Sequence, residues 1–103
     1  MDRTAAACAR PKAVRWGVMD HFHQRAGELY CEDVALTDIA AAVGTPAYVY
    51  SAATMRRHAD VFRSALSHAS EPLIAFAVKA NPNLAVLSCL AAAGLGADVV
   101  SAG

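Results

Sequence analysis

Read as a pattern of apolar and polar positions, the chain divides into short periods of two and longer periods of three to four. Phe22 to Arg25 and Glu28 to Val34 flank Ala26-Gly27, which predicts a hairpin. Thr37 is placed to cap a short helix running through Val43, with Gly44 as its stop and Thr45-Pro46 following. Ala47 to Tyr50 then has strand character. Ser51 is a second cap, and the helix after it repeats Met55, Ala59, Phe62 and Leu66 at helical spacing, turning Arg56, Arg57, Asp60 and Arg63 to water.

The run Leu73-Ile74-Ala75-Phe76-Ala77-Val78 is short, continuously apolar and bounded by Glu71-Pro72 and Asn81-Pro82, features of a strand buried on both faces. Alternation puts Ile74, Phe76 and Val78 on one face, and Ala75, Ala77 and Lys79 on the other. The alanine face leaves a shallow slot beside the lysine amine that a flat aromatic ring can occupy. Asn81 as cap and Pro82 in the first turn predict a helix whose buried stripe is Leu84, Leu87, Leu90 and Ala91, stopped by Gly94. Ala97 to Ser101 is the next strand. Strand, helix and strand within about thirty residues predict a parallel unit with a right-handed crossover, which brings the ends of the Lys79 and Val100 strands to one rim. The fold class is therefore α/β.

Composition sharpens this picture at one residue. The chain holds only two lysines, Lys12 and Lys79, against seven arginines, so a lysine at the end of its most apolar strand stands out. A buried ammonium sheds its proton, finds a carboxylate or snorkels to water. In the first case it becomes a nucleophile toward aldehydes, and hence a covalent anchor for a cofactor. A lysine that simply reaches solvent is the plain alternative.

The segment Ala75-Phe76-Ala77-Val78-Lys79-Ala80-Asn81 resembles the lysine motif of pyridoxal-phosphate enzymes with an alanine-racemase-like barrel. Within that group the chain resembles the diaminopimelate decarboxylases, from about Met19 to Gly103. The resemblance also rests on Phe22-His23 with Gly27 to Val34, on Val43-Gly44-Thr45-Pro46-Ala47-Tyr48-Val49-Tyr50-Ser51, and on Gly96 to Gly103. Alanine racemases continue the lysine motif with Ala-Tyr-Gly, whereas Asn81 is followed here by Pro82-Asn83-Leu84, as in the amino-acid decarboxylases. The Phe22 to Val34 segment favours the diaminopimelate enzymes over the ornithine and arginine ones.

The resemblance implies that Lys79 holds pyridoxal 5'-phosphate covalently, that Ala77 packs against the cofactor, and that Asp98 lies near both. Ser101 is a weaker cofactor-binding candidate. It implies decarboxylation of meso-diaminopimelate to L-lysine and CO2, a homodimer, and a cytoplasmic enzyme. A barrel of eight strands needs about 250 residues, so these 103 residues read as its opening part. The hairpin ahead of it would join a β-domain that follows the barrel. The phosphate-cradling glycines, the acidic partner of the pyridine nitrogen and the residues donated across the dimer interface would all fall after Gly103, leaving the fragment inactive alone. Three further readings stay open: an ornithine or arginine decarboxylase, an amino-acid racemase, or a non-catalytic module in which Lys79 is structural.

Other features narrow the function by exclusion. Hydrophobic residues make up 56% of the chain and charged ones 17%, with zero net charge, a composition that expects apolar neighbours and offers no surface for nucleic acid. No apolar run approaches the length that spans a bilayer. Cys8, Cys31 and Cys89 are too widely spaced for a paired metal or redox motif, and read as free thiols. His21 and His23 could share a strand face but lack a third ligand, and read as solvated edge residues. His58 and His68 have no companions that would make them catalytic. Residues 1–18, with Arg3, Arg10, Lys12 and Arg15 against Asp2, form a basic lead that matches no part of the family. They read as an extension or an upstream start, with Met19 as the true one, or less plausibly as a transit peptide. The predicted organisation is 1–18 as this lead, 19–45 as hairpin and short helix, and 46–103 as the opening of the barrel.

Overall fold

The computed structural model describes residues 19–102; the basic lead and Cys8 lie outside them. Two small sheets organise the chain. In the first, β1 (Phe22–Arg25), β2 (Glu28–Cys31) and β3 (Val34–Ala35) run antiparallel in that order. Arg25 pairs with Glu28, so Ala26 and Gly27 alone make the turn, both with positive φ (52° and 82°). That turn twists as the strands do, and Gly27 enters it without a Cβ penalty. Across the sheet His23 faces Tyr30, their rings stacked with centroids 5.9 Å apart, and the Arg25 guanidinium lies 4.8 Å from the centre of the Tyr30 ring. Such a contact is worth roughly 0.5–1 kcal/mol at an exposed site.

The span expected as one strand from Glu28 to Val34 is broken at Glu32-Asp33, a second two-residue turn between Cys31 and its partner Val34. Helix α1 (Leu36–Val43) follows β3 directly and packs on β2 and β3, burying Cys31 and Ala35. Its N-cap is Ala35, and Thr37 lies inside the first turn. The Thr37 hydroxyl donates to the Glu28 carboxylate instead of capping, so a cross-element acceptor wins over the local one.

Ala47 to Tyr50 is not a strand among the described residues: it pairs with no neighbour, and a strand exists only as part of a ladder. Ser51 then caps α2 (Ala52–Ala65) as its sequence predicts, its Oγ accepting from the Thr54 N–H at 3.0 Å. Of the expected apolar stripe, Ala59 is buried and Met55 and Leu66 half-buried, but Phe62 is exposed.

The second sheet holds β4 (Ala75–Ala77) and β5 (Gly96–Asp98), joined through α3 (Leu84–Ala92) and paired parallel. Asn83, not Asn81, caps α3, accepting from the Ala85 N–H at 2.9 Å. Asn81 closes the preceding 3-10 turn and accepts from the Asn83 N–H at 3.1 Å, which moves the helix start two residues on. The buried positions of α3 are Val86 and Leu90. Leu84 and Ala91, expected in the stripe, are exposed, because α2 and the short sheet cover only one narrow side of the helix. The helix ends as predicted at Gly94 (φ 80°), where Gly94 N–H donates to Ala91 O at 2.9 Å and Leu95 N–H to Leu90 O at 3.1 Å. This Schellman closure needs the left-handed residue that glycine supplies.

Two charged side chains complete helix ends from other elements. Arg63 of α2 donates to Ala93 O at the C-terminus of α3 and also pairs with Asp60 at 2.9 Å; Glu32 reaches the start of α2. The apolar cover is thin. Among the described residues Tyr48, Leu73, Leu84 and Val100 are 91%, 85%, 79% and 77% exposed, and no large side chain is fully buried. Burying Val86 and Leu90 contributes at most about 2–3 kcal/mol each, against about 1–2 kcal/mol of backbone entropy for every ordered residue. The 103-residue chain alone is therefore expected to show a broad melt and concentration-dependent association in circular dichroism and light scattering. A sharp, reversible transition of a monomer would contradict this.

Candidate active site

The lysine-bearing strand is shorter than its apolar run. β4 stops at Ala77, and Val78–Ala80 form a single 3-10 turn closed by Asn81 N–H donating to Val78 O at 3.1 Å. Lys79 therefore sits on that turn and is exposed, not on a strand buried on both faces. The reason is pairing: among the described residues β4 has only β5 as a ladder partner, and their three rungs end at Ala77. The strict alternation expected through Val78 and Lys79 ends at Ala77.

The parallel ladder brings the other candidates to the same end. Ala75 pairs with Gly96, Phe76 with Ala97, and Ala77 with Asp98. Partners in a parallel pair point to the same side, so Ala77 and Asp98 share one face, with Ala75 and Gly96 behind them. Phe76 and Ala97 point to the opposite face, where they border a small cavity with Leu87 and Leu90 of α3. Ala77 is half-buried and Asp98 exposed. Lys79 follows Ala77 by two residues. Ser101 follows Asp98 by three and lies exposed in a bend at the same end of the sheet.

This arrangement offers one primary amine and one carboxylate beside a patch of alanine and glycine. An amine is the group that condenses with an aldehyde, a carboxylate can orient or exchange a proton with it, and small side chains allow a planar ring to approach. The donor set fits a pyridoxal group at its aldehyde end. It does not suit a metal: among the described residues no three His, Cys, Asp or Glu side chains gather, and His21 is engaged with Thr54, its Nδ1 2.9 Å from Oγ1. Burial pushes the Cys31 thiol up, helped by the neighbouring Glu32 charge, which disfavours its thiolate.

A larger cavity of about 570 Å³ lies elsewhere, between α2, α3 and β4, lined by Met55, Phe62, Ile74, Val86 and Leu90. Lys79, Asp98 and Ser101 do not border it, although Ala80 and Asn81, which follow Lys79, do. The polar cluster of Glu32, Ser51, His21 and Thr54 has no counterpart in the sequence-based expectations beyond the Ser51 cap. Its partners are 19 to 33 residues apart, and no local spacing announces them.

Comparison with known proteins agrees with the lysine-strand reading. Residues 52–103 match the family described as pyridoxal-dependent decarboxylase, pyridoxal binding domain. The chain is 51% identical over 85 residues to a diaminopimelate decarboxylase of Pseudomonas fluorescens, covering 82% of this chain and 20% of that protein. The enzyme of the same name from Vibrio cholerae is 49% identical over 86 residues (82% and 20%), and that of Aquifex aeolicus 41% over 83 residues (81% and 19%). The chain spans about a fifth of the length of these curated relatives. The resemblance read from the four sequence segments is thus borne out, and the chain belongs to the pyridoxal-dependent decarboxylases, its second half matching their pyridoxal-binding domain.

Proposed function

We propose that the protein is a pyridoxal-phosphate-dependent decarboxylase that converts meso-diaminopimelate to L-lysine and CO2. The observation that carries this reading is the Ala77–Asp98 rung, which sets a carboxylate beside the end of the strand leading into Lys79. That is the end where parallel strand-and-helix folds carry their sites. The match to relatives named diaminopimelate decarboxylase supports the choice of substrate.

In this reading β4 and β5 are neighbouring strands of an alanine-racemase-like (β/α)8 barrel, of which 46–103 is the opening part. The unit 19–45 contributes its hairpin to a β-domain that follows the barrel, and 1–18 is a lead outside both. The active form is a homodimer in the cytoplasm, and the 103 residues alone have no turnover.

Each side chain has a defined task. Lys79, held on a one-turn 3-10 segment with its side chain exposed, would hold the cofactor through its amine. Ala77 presents only a methyl group, keeping the space next to the Asp98 rung open to a flat ring. Asp98, as a carboxylate, accepts a hydrogen bond or holds a proton on the lysine side of the site. Ser101 offers a hydroxyl at the same rim. Pyridoxal phosphate, when bound, supplies the electron sink that receives the pair left when the carbon–carboxylate bond breaks and before that carbon regains a proton.

Borohydride reduction of the protein from its source, followed by peptide mass spectrometry, is expected to give a pyridoxyl adduct on Lys79 and to block tryptic cleavage there. An unmodified Lys79 in folded protein overturns the proposal and leaves a strand-end lysine in contact with solvent. Asp98→Asn is expected to keep the adduct but lower decarboxylation by about tenfold or more, the equivalent of one charge-assisted hydrogen bond. Full activity in that variant would make Asp98 an exposed strand-end aspartate with no part in the reaction.

A further inference from the structure

The turn between β2 and β3 carries a carboxylate that reaches out of its own sheet. Glu32 has φ 55°, in the left-handed region that non-glycine residues seldom occupy, and its N–H donates to His21 O at 2.7 Å. Held there, Oε1 accepts from the Ser51 hydroxyl at 2.7 Å and from the Ala53 N–H at 2.8 Å. Ser51, only 3% exposed, passes the connection on by accepting from Thr54 N–H. His21 closes the seam from the other side, its N–H donating to Thr54 Oγ1 at 3.0 Å.

The first turn of α2 has four N–H groups without a helical partner, and two are satisfied by this network, Ala53 from Glu32 and Thr54 from Ser51. The hairpin thus supplies part of the cap of a helix in another unit. Two further hydrogen bonds cross the seam: His21 Nδ1 lies 2.9 Å from Thr54 Oγ1, and His58 Nε2 lies 3.0 Å from Met19 O, the latter exposed and uncharged on the acceptor side. Cys31 and Ala35 bury themselves within the hairpin and α1 unit. The seam between that unit and α2 is polar, with Glu32 at its centre.

We infer that Glu32 is a latch: its ionised carboxylate docks the β1–β2–β3 unit onto the N-terminus of α2, and loss of that charge frees the unit while β4, α3 and β5 stay paired. The charge suits the site because a helix N-terminus favours an anion. The Ala53 N–H, then the Ser51 hydroxyl, hold the Glu32 carboxyl below its ordinary value of 4.5, with burial opposing and the charges of Arg56 and His21 assisting. Of the other ionisable neighbours, Cys31 is buried with its thiol pushed up, and Asp33, in the same turn as Glu32, lies 3.8 Å from the Arg25 guanidinium of β1. A carboxylate whose folded value lies below its unfolded one stabilises docking above the unfolded value. That contribution is lost as pH falls through the folded value.

Hydrogen exchange read by mass spectrometry on the protein from its source tests this, using protection factors corrected for intrinsic rates. Glu32→Ala is expected to lower protection of 19–35 and of the first turn of α2 by about tenfold, one charge-assisted cap, with 74–98 unchanged. Glu32→Gln is expected to have a smaller effect and to abolish the loss of hairpin protection expected of the natural protein as pH falls below 4.5. Unaltered hairpin protection in both variants overturns the latch, as does an equal loss across 74–98. If Glu32→Ala does not fold, the natural protein and Glu32→Gln decide: hairpin protection that stays flat below pH 4.5 in the natural protein overturns it. An unmodified Lys79 would leave the latch intact, so its failure and that of the pyridoxal reading are separable.

Discussion

Three parallel rungs between β4 and β5 decide where each candidate side chain can stand. Parallel strands cannot be joined by a tight turn, so the chain must leave the end of β4, travel back along a helix and re-enter beside its own start. α3 provides that return, anchored by Val86 and Leu90. The Schellman closure at Gly94 then redirects the chain so sharply that Gly96 N–H already meets Ile74 O at 2.8 Å. One residue more or less in that corner would slip the register and take Asp98 away from Ala77. The candidate site is thus a product of backbone pairing, not of side chains finding one another.

Much of this was legible in the sequence where the cause was local. Ser51 capped its helix and Gly94 ended the next, because a cap depends on the residue and its three or four neighbours. The parallel pairing of β4 with β5 followed from a strand, helix and strand in quick succession. What failed was whatever depended on a distant neighbour. The apolar run Leu73 to Val78 promised a longer, more buried strand than Ala75–Ala77, since among the described residues it has one ladder partner and a cavity lies between it and the helices α2 and α3. Ala47 to Tyr50 has strand chemistry without a strand for the same reason. Asn81 was the expected cap, but Asn83 caps the helix because Val78–Ala80 tightened into a 3-10 turn that Asn81 closes. Glu32 gave no signal, because its partners lie 19 and 21 residues away.

Among the described residues, polar contacts between elements do much of the holding. Where the apolar core is reduced to a few side chains, helix ends become the points at which one element can hold another firmly, since their unpaired groups point in fixed directions. A carboxylate at the start of α2 and a guanidinium at the end of α3 use both polarities of that property. Such contacts set relative orientation more sharply than the shallow packing of α2 on α3 alone.

The alternation at Phe76 and Ala77 has a consequence for how the protein can change. Phe76 and its ladder partner Ala97 border the packing with α3, while Ala77 and its partner Asp98 look the other way. Odd and even positions of one short ladder therefore answer to different selective pressures. Side chains on the Ala77 side stand clear of the packing with α3, so a change there would alter the candidate site without disturbing the helix behind the sheet. A single inserted residue in β4 would exchange the two roles at once, putting an aromatic ring where the cofactor is expected and a methyl group where the helix needs bulk. Insertions here are thus far more damaging than substitutions, and a lineage can diversify its chemistry along this strand only by replacing residues in place.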